Sequence, residues 1–409
     1  MAQIIRMKCI AYLVAFLFCL SPLITSADQH ADSFTKAWMS GKFGVDIRYR
    51  IESVDQDGFD EEALASTLRT RANYQTLDYK GWQGFLEFED VRVIGVEDFN
   101  STANGETEFP VVADPEDTEL NQVWIKYRFK DANEVKLGRQ RINLNNQRFV
   151  GAVGFRQNEQ TFDAVSLDFT FNERLSGFFA HLEQANRIFG ENHPVAARAD
   201  TKMNTQLIDI SYQFDNFTLA GYAYLLDFDD ASPASHKNLG ARFSGNFNAE
   251  KPVNFNYYLE YADQSDHADG LATNEAEYWH AWLRANFKNS KLRFGVESLG
   301  GDGVYAFQTP LATLHAFNGA ADIFLTTPLT GLVDTYIDYR HELEAFSFGA
   351  RYHDFQSDTG SLDYGTELDF YIAKSFTKHI SGKVEYADYN ADDFAVDTRK
   401  LWITLGIKF

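Results

Sequence analysis

Basic residues spaced two apart are the features of this sequence most able to do chemistry. Three such pairs occur in the first third of the chain: Arg48 and Arg50, Arg69 and Arg71, and Lys126 and Arg128. Side chains two residues apart lie on the same face of a β-strand, so each pair presents two cations to one surface. Guanidinium groups bind carboxylates in a bidentate manner, and rings of basic side chains make a pore favour anions. The pairs therefore predict a basic wall that attracts anionic solutes.

A second interpretation gives the same residues a structural role. Glu87 and Glu89 have the same two-residue spacing, and Asp46 precedes the first basic pair. Opposite charges on neighbouring strands form cross-strand pairs. Such pairs would fix the shape of the wall and leave little charge for a solute. The sequence leaves both interpretations open.

The sequence contains few signs of catalysis, metal binding or nucleic-acid binding. His341-Glu342 lacks the second histidine of a zinc protease motif, and no GxSxG nucleophile elbow occurs. The net charge of −22 disfavours a nucleic-acid partner. We therefore expect no catalytic residue, no metal site, no cofactor and no nucleic-acid partner. An enzyme whose site is assembled from scattered residues is the least favoured hypothesis.

The elements that would position the basic pairs are short segments of alternating polarity. The last one, residues 401–409 (LWITLGIKF), has apolar side chains at every odd-numbered position. Such alternation is typical of a strand with one apolar and one polar face. Eighteen segments of this kind are predicted, near residues 42–53, 65–77, 82–93, 119–130, 134–142, 161–171, 174–184, 203–214, 217–227, 237–248, 253–263, 276–287, 291–299, 332–341, 345–355, 366–376, 380–389 and 399–409.

The connections between these segments alternate between short and long. Turns such as 78–81 and 131–133 are followed by much longer loops. This alternation is typical of a barrel with one periplasmic and one extracellular rim. We therefore predict an all-β fold, an 18-stranded antiparallel transmembrane β-barrel of the outer-membrane type, as a single domain over residues 28–409. Loops 143–160 and 300–331 either fold inward and narrow the pore or only cover the outer rim.

The first 27 residues have the pattern of a secretory signal peptide. Arg6 and Lys8 precede an apolar run over residues 9–20, and residues 25–27 (TSA) form a plausible cleavage site. Its removal would leave 35 basic and 59 acidic residues, a net charge of −24, and no cysteine. The pattern predicts export to the bacterial outer membrane, with outer-membrane lipid and lipopolysaccharide around the barrel.

Two longer segments resemble the alginate export family of outer-membrane proteins. The first, residues 136–165, contains a GRQ motif followed by RQN and TFDAV. The second, residues 309–339, begins TPLATLHAFNGAADIFLTTP and continues to a glycine and an aspartate of the family pattern. The resemblance implies an 18-stranded barrel that passes an anionic polysaccharide through an arginine-rich constriction.

The resemblance also implies roles for individual residues. In the first segment four arginines would line the constriction or its loop: Arg139, Arg141, Arg148 and Arg156. Asp163 would be a structural partner. Four residues of the second segment match the motif and would be structural: His315, Asn318, Asp322 and Asp334. Arg139 and Arg141 are spaced two apart, so we expect them to share the lumen face.

Together these features predict a non-enzymatic outer-membrane channel for anionic solutes. An alginate-like polysaccharide or oligosaccharide is the expected substrate. The chain is short compared with the alginate exporter, its loops are acidic, and the wider family includes porins for other solutes. A general small-solute porin is therefore the alternative. The sequence specifies neither the direction of transport nor any periplasmic secretion partner.

Overall fold

The structure, a computed structural model, describes residues 30–130 and 133–409. These residues form 18 strands and two short helices, α1 (Phe34–Met39) and α2 (Ala196–Ala199). The strands are β1 (Lys42–Gln56), β2 (Ala63–Gln75), β3 (Trp82–Asp98), β4 (Asp117–Phe129), β5 (Asn133–Gln140), β6 (Thr161–Thr170), β7 (Leu175–Asn186), β8 (Asp200–Gln213), β9 (Phe217–Leu226), β10 (His236–Phe247), β11 (Val253–Asp266), β12 (Ala276–Phe287), β13 (Ser290–Leu299), β14 (Leu332–Glu342), β15 (Phe346–Gln356), β16 (Asp363–Ser375), β17 (Ile380–Ala391) and β18 (Thr398–Lys408). The predicted signal peptide lies outside the described residues.

The strands close into one barrel. Each strand pairs antiparallel with the next, and β18 pairs with β1 in a register from Asp46–Lys408 to Gln56–Thr398. Among the described strands, closure leaves no unpaired sheet edge, as a lipid environment requires. The predicted all-β, 18-stranded antiparallel barrel is confirmed. β3 continues to Asp98, beyond its predicted end at 93, because it pairs with β2 past a β-bulge.

Exposure alternates along the strands as the sequence predicts. On β18, Leu401, Ile403 and Leu405 are 39–45% exposed, whereas Trp402 is fully buried. Side chains of a transmembrane strand point alternately to lipid and to the lumen. The apolar exposed face is therefore the lipid-facing surface, and Trp402 points into the barrel.

The two rims differ in the length of their connections. One rim carries short turns, including 76–81 between β2 and β3 and 343–345 between β14 and β15. The other carries the long loops, including 99–116, 141–160 and 300–331. In outer-membrane barrels the short turns are periplasmic and the long loops extracellular. The topology therefore orients the protein in its membrane.

Aromatic side chains mark the membrane interface near the short-turn rim. Trp82 lies 4.7 Å from Tyr127, and Phe247 lies 4.8 Å from Phe255, measured between ring centroids. Trp82 and Phe247 are both about half exposed on the outer surface. Such a girdle is typical of the boundary between acyl chains and headgroups. Among the described residues, no helix is both long and apolar enough to cross a membrane.

The hydrophobic core lies inside the barrel, because two extracellular loops fold into the lumen. The 141–160 loop and the 300–331 loop both contribute buried apolar side chains, which pack against inward aromatic residues of the wall. The buried loop side chains include Phe149, Val150, Phe307, Leu311 and Phe324. Both loops therefore fold inward instead of only covering the outer rim.

Candidate functional site

The two inward loops lie side by side across the lumen. Val150 and Leu311 form a parallel backbone bridge. The N–H of Gly151 donates to the carbonyl of Leu311 at 2.9 Å, and the N–H of Thr313 donates to the carbonyl of Gln147 at 3.0 Å. The two sequence segments that resemble the family therefore meet directly in space.

Arg148 ties the first loop to the second loop and to the barrel wall. It is only 2% exposed. Its Nε donates to Glu297 of β13 at 2.7 Å, its Nη1 to Thr309 at 3.0 Å and its Nη2 to Asn318 at 3.1 Å. Asn318 in turn donates to Asp334 of β14 at 3.2 Å. All three nitrogen atoms of this guanidinium donate hydrogen bonds to other residues of the protein, so Arg148 holds the loops together.

Arg156 makes a second tie between the loops and the wall. Its Nη1 donates to both carboxylate oxygens of Glu52 on β1, at 3.1 and 3.2 Å. Its Nη2 donates to Asp322 of the 300–331 loop at 2.9 Å. Burial opposes the charge of this guanidinium, but the carboxylates of Glu52, Asp114 and Asp322 raise its pKa above the ordinary value. Arg156 therefore stays charged in its buried position.

His315 and Lys400 complete the surroundings of Asp322. The Nδ1 of His315 lies 2.8 Å from Asp322 Oδ1, and the Nζ of Lys400 lies 3.7 Å from Asp322 Oδ2. The Phe155 ring stacks on the imidazole with centroids 3.4 Å apart. Burial opposes ionisation of the carboxyl, but His315, Lys400 and Arg156 hold the pKa of this group well below its usual range. Asp322 is therefore a fixed anion between the loops.

The first basic pair supports the 141–160 loop from the wall. Arg48 donates from Nη1 to the carbonyl of Gly154 at 2.8 Å and from Nε to Gln157 Oε1 at 2.9 Å. Arg50 is 3% exposed, and its Nη1 lies 3.9 Å from Asp114 Oδ2. Both side chains point inward, and their charged groups contact protein.

The second basic pair and Arg141 form an ion-pair network with inward carboxylates. The contacts are Arg69 with Asp46 at 2.9 Å, Arg71 with Glu89, Arg71 with Glu159 at 3.0 Å, Arg141 with Glu87 at 2.5 Å, and Arg141 with Glu159. Burial opposes ionisation of Glu159, but Arg71 and Arg141 lower its pKa below the usual value. The partners include all three carboxylates that the structural interpretation named.

The third basic pair lies near the short-turn rim. Lys126 Nζ donates to Glu134 Oε2 at 2.9 Å, and Arg128 Nη2 lies 3.5 Å from the same oxygen. The Arg128 side chain is 45% exposed. This pair shares one carboxylate and is the most open of the three.

The structure places Arg139 on the outer surface of the barrel rather than in the lumen. Arg139 is opposite Val123 of β4, which is 41% exposed on the lipid-facing side. Its Nε donates to Asp163 at 2.8 Å and its Nη1 to Glu191 at 3.1 Å. Arg141 instead turns inward, because β5 ends one residue before it and strand alternation no longer applies. The two arginines therefore do not share a face, while Asp163 is a partner of Arg139.

A second group of arginines, which the sequence analysis did not single out, faces the lumen nearer the short-turn rim. The β12–β15 arginine cluster comprises one residue from each strand: Arg284, Arg293, Arg340 and Arg351. The Oδ2 of Asp338 contacts three of them, Arg293 at 2.6 Å, Arg340 at 3.2 Å and Arg351 at 3.4 Å. Arg284 donates to the side-chain oxygen of Asn256 at 2.9 Å. Together with Asp338, the cluster thus comprises four guanidinium cations and one carboxylate.

The cluster borders a cavity of about 620 Å³ beneath the inward loops. Beside it, the rings of Tyr258 and Trp282 stack with centroids 5.5 Å apart. The guanidinium carbons of Arg284 and Arg293 lie 5.6 and 5.9 Å from the Trp282 ring. An aromatic face next to guanidinium groups suits a cyclic solute that carries a carboxylate. In the described parts of the chain, no group of three or more histidine, cysteine or acidic residues could hold a metal ion.

A family model for alginate export matches residues 40–312. The chain belongs to the alginate export family. The match includes the whole first motif segment, residues 136–165, and only the beginning of the second, residues 309–339. The sequence-based resemblance is therefore confirmed, and with it the assignment to the bacterial outer membrane.

Solved outer-membrane proteins share this fold. Acinetobacter baumannii OccAB2 superposes with a TM-score of 0.70 at 16% identity, and Pseudomonas aeruginosa OccK9 (OpdG) with 0.71 at 14%. A structure of Pseudomonas aeruginosa OpdK with vanillate gives 0.68 at 11%. Each match covers 90% of this chain and 98% of the other. Among curated proteins, none matches this sequence. The family and the fold together identify an outer-membrane barrel of the porin type.

Proposed function

We propose that this alginate export family member is a passive channel that favours anionic solutes, with the β12–β15 arginine cluster as its charge filter. The observation that carries the proposal is the charge balance of the cluster, in which the carboxylate of Asp338 contacts three of the four guanidiniums and the fourth, Arg284, bonds to the amide of Asn256. The Arg340 side chain is 44% exposed, and those of Arg293 and Arg351 are about one-fifth exposed. Basic groups at an open pore wall attract anions and repel cations.

The basic residues predicted from the sequence have a different part in this proposal. Most of them hold the inward loops or neutralise wall carboxylates, as Arg148 and Arg71 do. A guanidinium that is already bonded to a carboxylate attracts a solute less strongly than a free one. These residues would set the width of the passage, while the arginine cluster would set its charge preference. Because the inward carboxylates of Glu52, Glu89 and Glu159 are engaged in ion pairs with arginines, we also propose a non-enzymatic role.

For the substrate we propose short uronate saccharides of the alginate type. A uronate unit combines a sugar ring with a carboxylate, which matches the aromatic face of Trp282 beside Arg284 and Arg293. The two inward loops cross the lumen and are joined by the buried contacts of Arg148 with Thr309 and of Arg156 with Asp322. A long polymer would have to displace these loops, so the arrangement favours monomers and short oligomers.

Planar-bilayer recordings test the proposed function. In a potassium chloride gradient the reversal potential should show chloride preference, and short uronate oligomers should block the current in a concentration-dependent way. Vanillate is a useful aromatic carboxylate probe, with neutral maltose as the uncharged control. A wild-type channel that prefers potassium and is not blocked by uronates would contradict the proposal and leave a general small-solute porin.

A further inference from the structure

Helix α1 places large apolar side chains on the outside of the protein. Phe34, Trp38 and Met39 are 69%, 61% and 77% exposed, whereas Ala37 of the same helix is 4% exposed. Phe34 and Trp38 are four residues apart and therefore lie one above the other on the helix. A contiguous apolar patch on so short a segment marks a contact surface rather than a surface suited to water.

The helix is fixed to the barrel by backbone hydrogen bonds. The N–H of Leu77 donates to the carbonyl of Ala37 at 3.0 Å. The hydroxyl of Tyr74 donates to the carbonyl of Trp38 and accepts from the N–H of Gly41 at 2.9 Å. At the start of the helix, the side chain of Ser33 accepts from a backbone N–H of the first turn. The exposed side chains therefore project from a defined position.

That position is on the lipid side of the wall. Tyr74 of β2 is opposite Phe43 and Leu86, which are 64% and 38% exposed on the outer surface. Trp38 makes an edge contact with the Tyr74 ring at 6.4 Å between centroids. The helix lies against the outward face at the short-turn rim, so its apolar side chains continue the aromatic girdle.

We propose that α1 is seated in the periplasmic phospholipid leaflet, with Phe34 and Trp38 in the layer between headgroups and acyl chains. Aromatic side chains favour this layer, and an amphipathic helix lies in the membrane plane with its apolar face in lipid. The polar face carries Lys36, whose Nζ lies 3.3 Å from Asp32 and whose side chain is 52% exposed. Lipid is favoured over a protein partner because the patch is continuous with the lipid-facing belt.

Site-directed fluorescence tests this placement. In a chain with Cys9 and Cys19 replaced by serine, a bimane label is attached at Trp38→Cys, at Phe34→Cys or, as the matched control on the opposite face of the helix, at Lys36→Cys. Each protein is reconstituted in phosphatidylethanolamine and phosphatidylglycerol vesicles with brominated acyl chains. Brominated lipid should quench the labels at 34 and 38 at least threefold more than the label at 36, and aqueous iodide should show the opposite order.

Two results would overturn the proposal. Equal iodide quenching at all three positions without quenching by brominated lipid would show that the face lies in water. Disulfide cross-linking between unlabelled Trp38→Cys copies at high lipid dilution would show that a second copy covers it. The Phe34→Cys protein keeps the test valid if the Trp38 substitution impairs folding.

Discussion

Replacing Arg340 and Arg351 with glutamine should weaken the anion preference of the channel. Both residues belong to the β12–β15 arginine cluster, where Asp338 is the shared carboxylate. The double substitution lowers the charge of this group from +3 to +1. Glutamine keeps much of the side-chain length, so the change acts mainly on charge. The effect therefore measures how strongly this wall acts on passing ions.

The size of the effect follows from the dimensions of the cavity. A sphere of 620 Å³ has a radius of about 5 Å, so an ion at its centre lies about 7 Å from the guanidiniums. At that distance each charge contributes about 0.6 kcal/mol in water, and 0.1 M salt leaves about half of it. Two charges change the energy of an anion by about 0.6 kcal/mol and that of a cation by the opposite amount. The chloride-to-potassium permeability ratio should fall roughly sevenfold.

Reversal potentials in planar bilayers measure this ratio directly. Asp338→Asn is the opposite perturbation, since it raises the charge of the cluster and should increase chloride preference. Arg128→Gln is the matched control, because it removes an exposed arginine that lies near the same rim but outside the cluster. The reasoning is refuted if the Arg340 and Arg351 double variant folds and keeps the wild-type reversal potential.

Three further outcomes are expected. Ile403→Arg on the lipid-facing surface should lower the free energy of unfolding in urea by about 2–4 kcal/mol. Thr404→Arg, which faces the lumen, should lower it far less, and equal losses would contradict the face assignment. Asp322→Asn should loosen the inward loops by about 3–5 kcal/mol and raise protease cleavage within 141–160 at least tenfold, whereas the exposed Asp302→Asn should not. The pKa of Asp322 is depressed in the fold, so its stabilisation of the inward loops is complete above about pH 4 and is lost as the pH falls further. Wild-type conductance should therefore be constant from pH 8 to 5 and rise only below about pH 4. A rise above pH 5 would assign the loop contact to another group.

The barrel could be predicted from the sequence because its period is local. Alternation within residues 401–409 and the contrast between short turns and long loops both depend on neighbouring positions, and both persist in the structure. The extension of β3 to Asp98 was not predictable in the same way. This end of the strand contains Gly95 in a positive-φ conformation, and it depends on pairing with β2 across a bulge.

The site was predictable only where its partners lie on adjacent strands. Glu89 is a partner of Arg71 because β2 and β3 are neighbours. Arg148 and Glu297 are far apart in the chain, and no local pattern links an inward loop to β13. The β12–β15 arginine cluster could have been found, because alternation assigns Arg284 to the inward face of its strand together with Trp282.

The last strand also determines when the interior of the protein can be completed. β18 closes the barrel against β1, and the same strand supplies Lys400 beside Asp322 and Trp402 beside His315. The inward loops therefore obtain part of their final surroundings from the C-terminal segment of the chain. Contacts between residues so distant in sequence form slowly. Barrel closure and packing of the inward loops must therefore take place together, late in assembly. A chain halted before this step would expose an apolar interior together with an open strand edge.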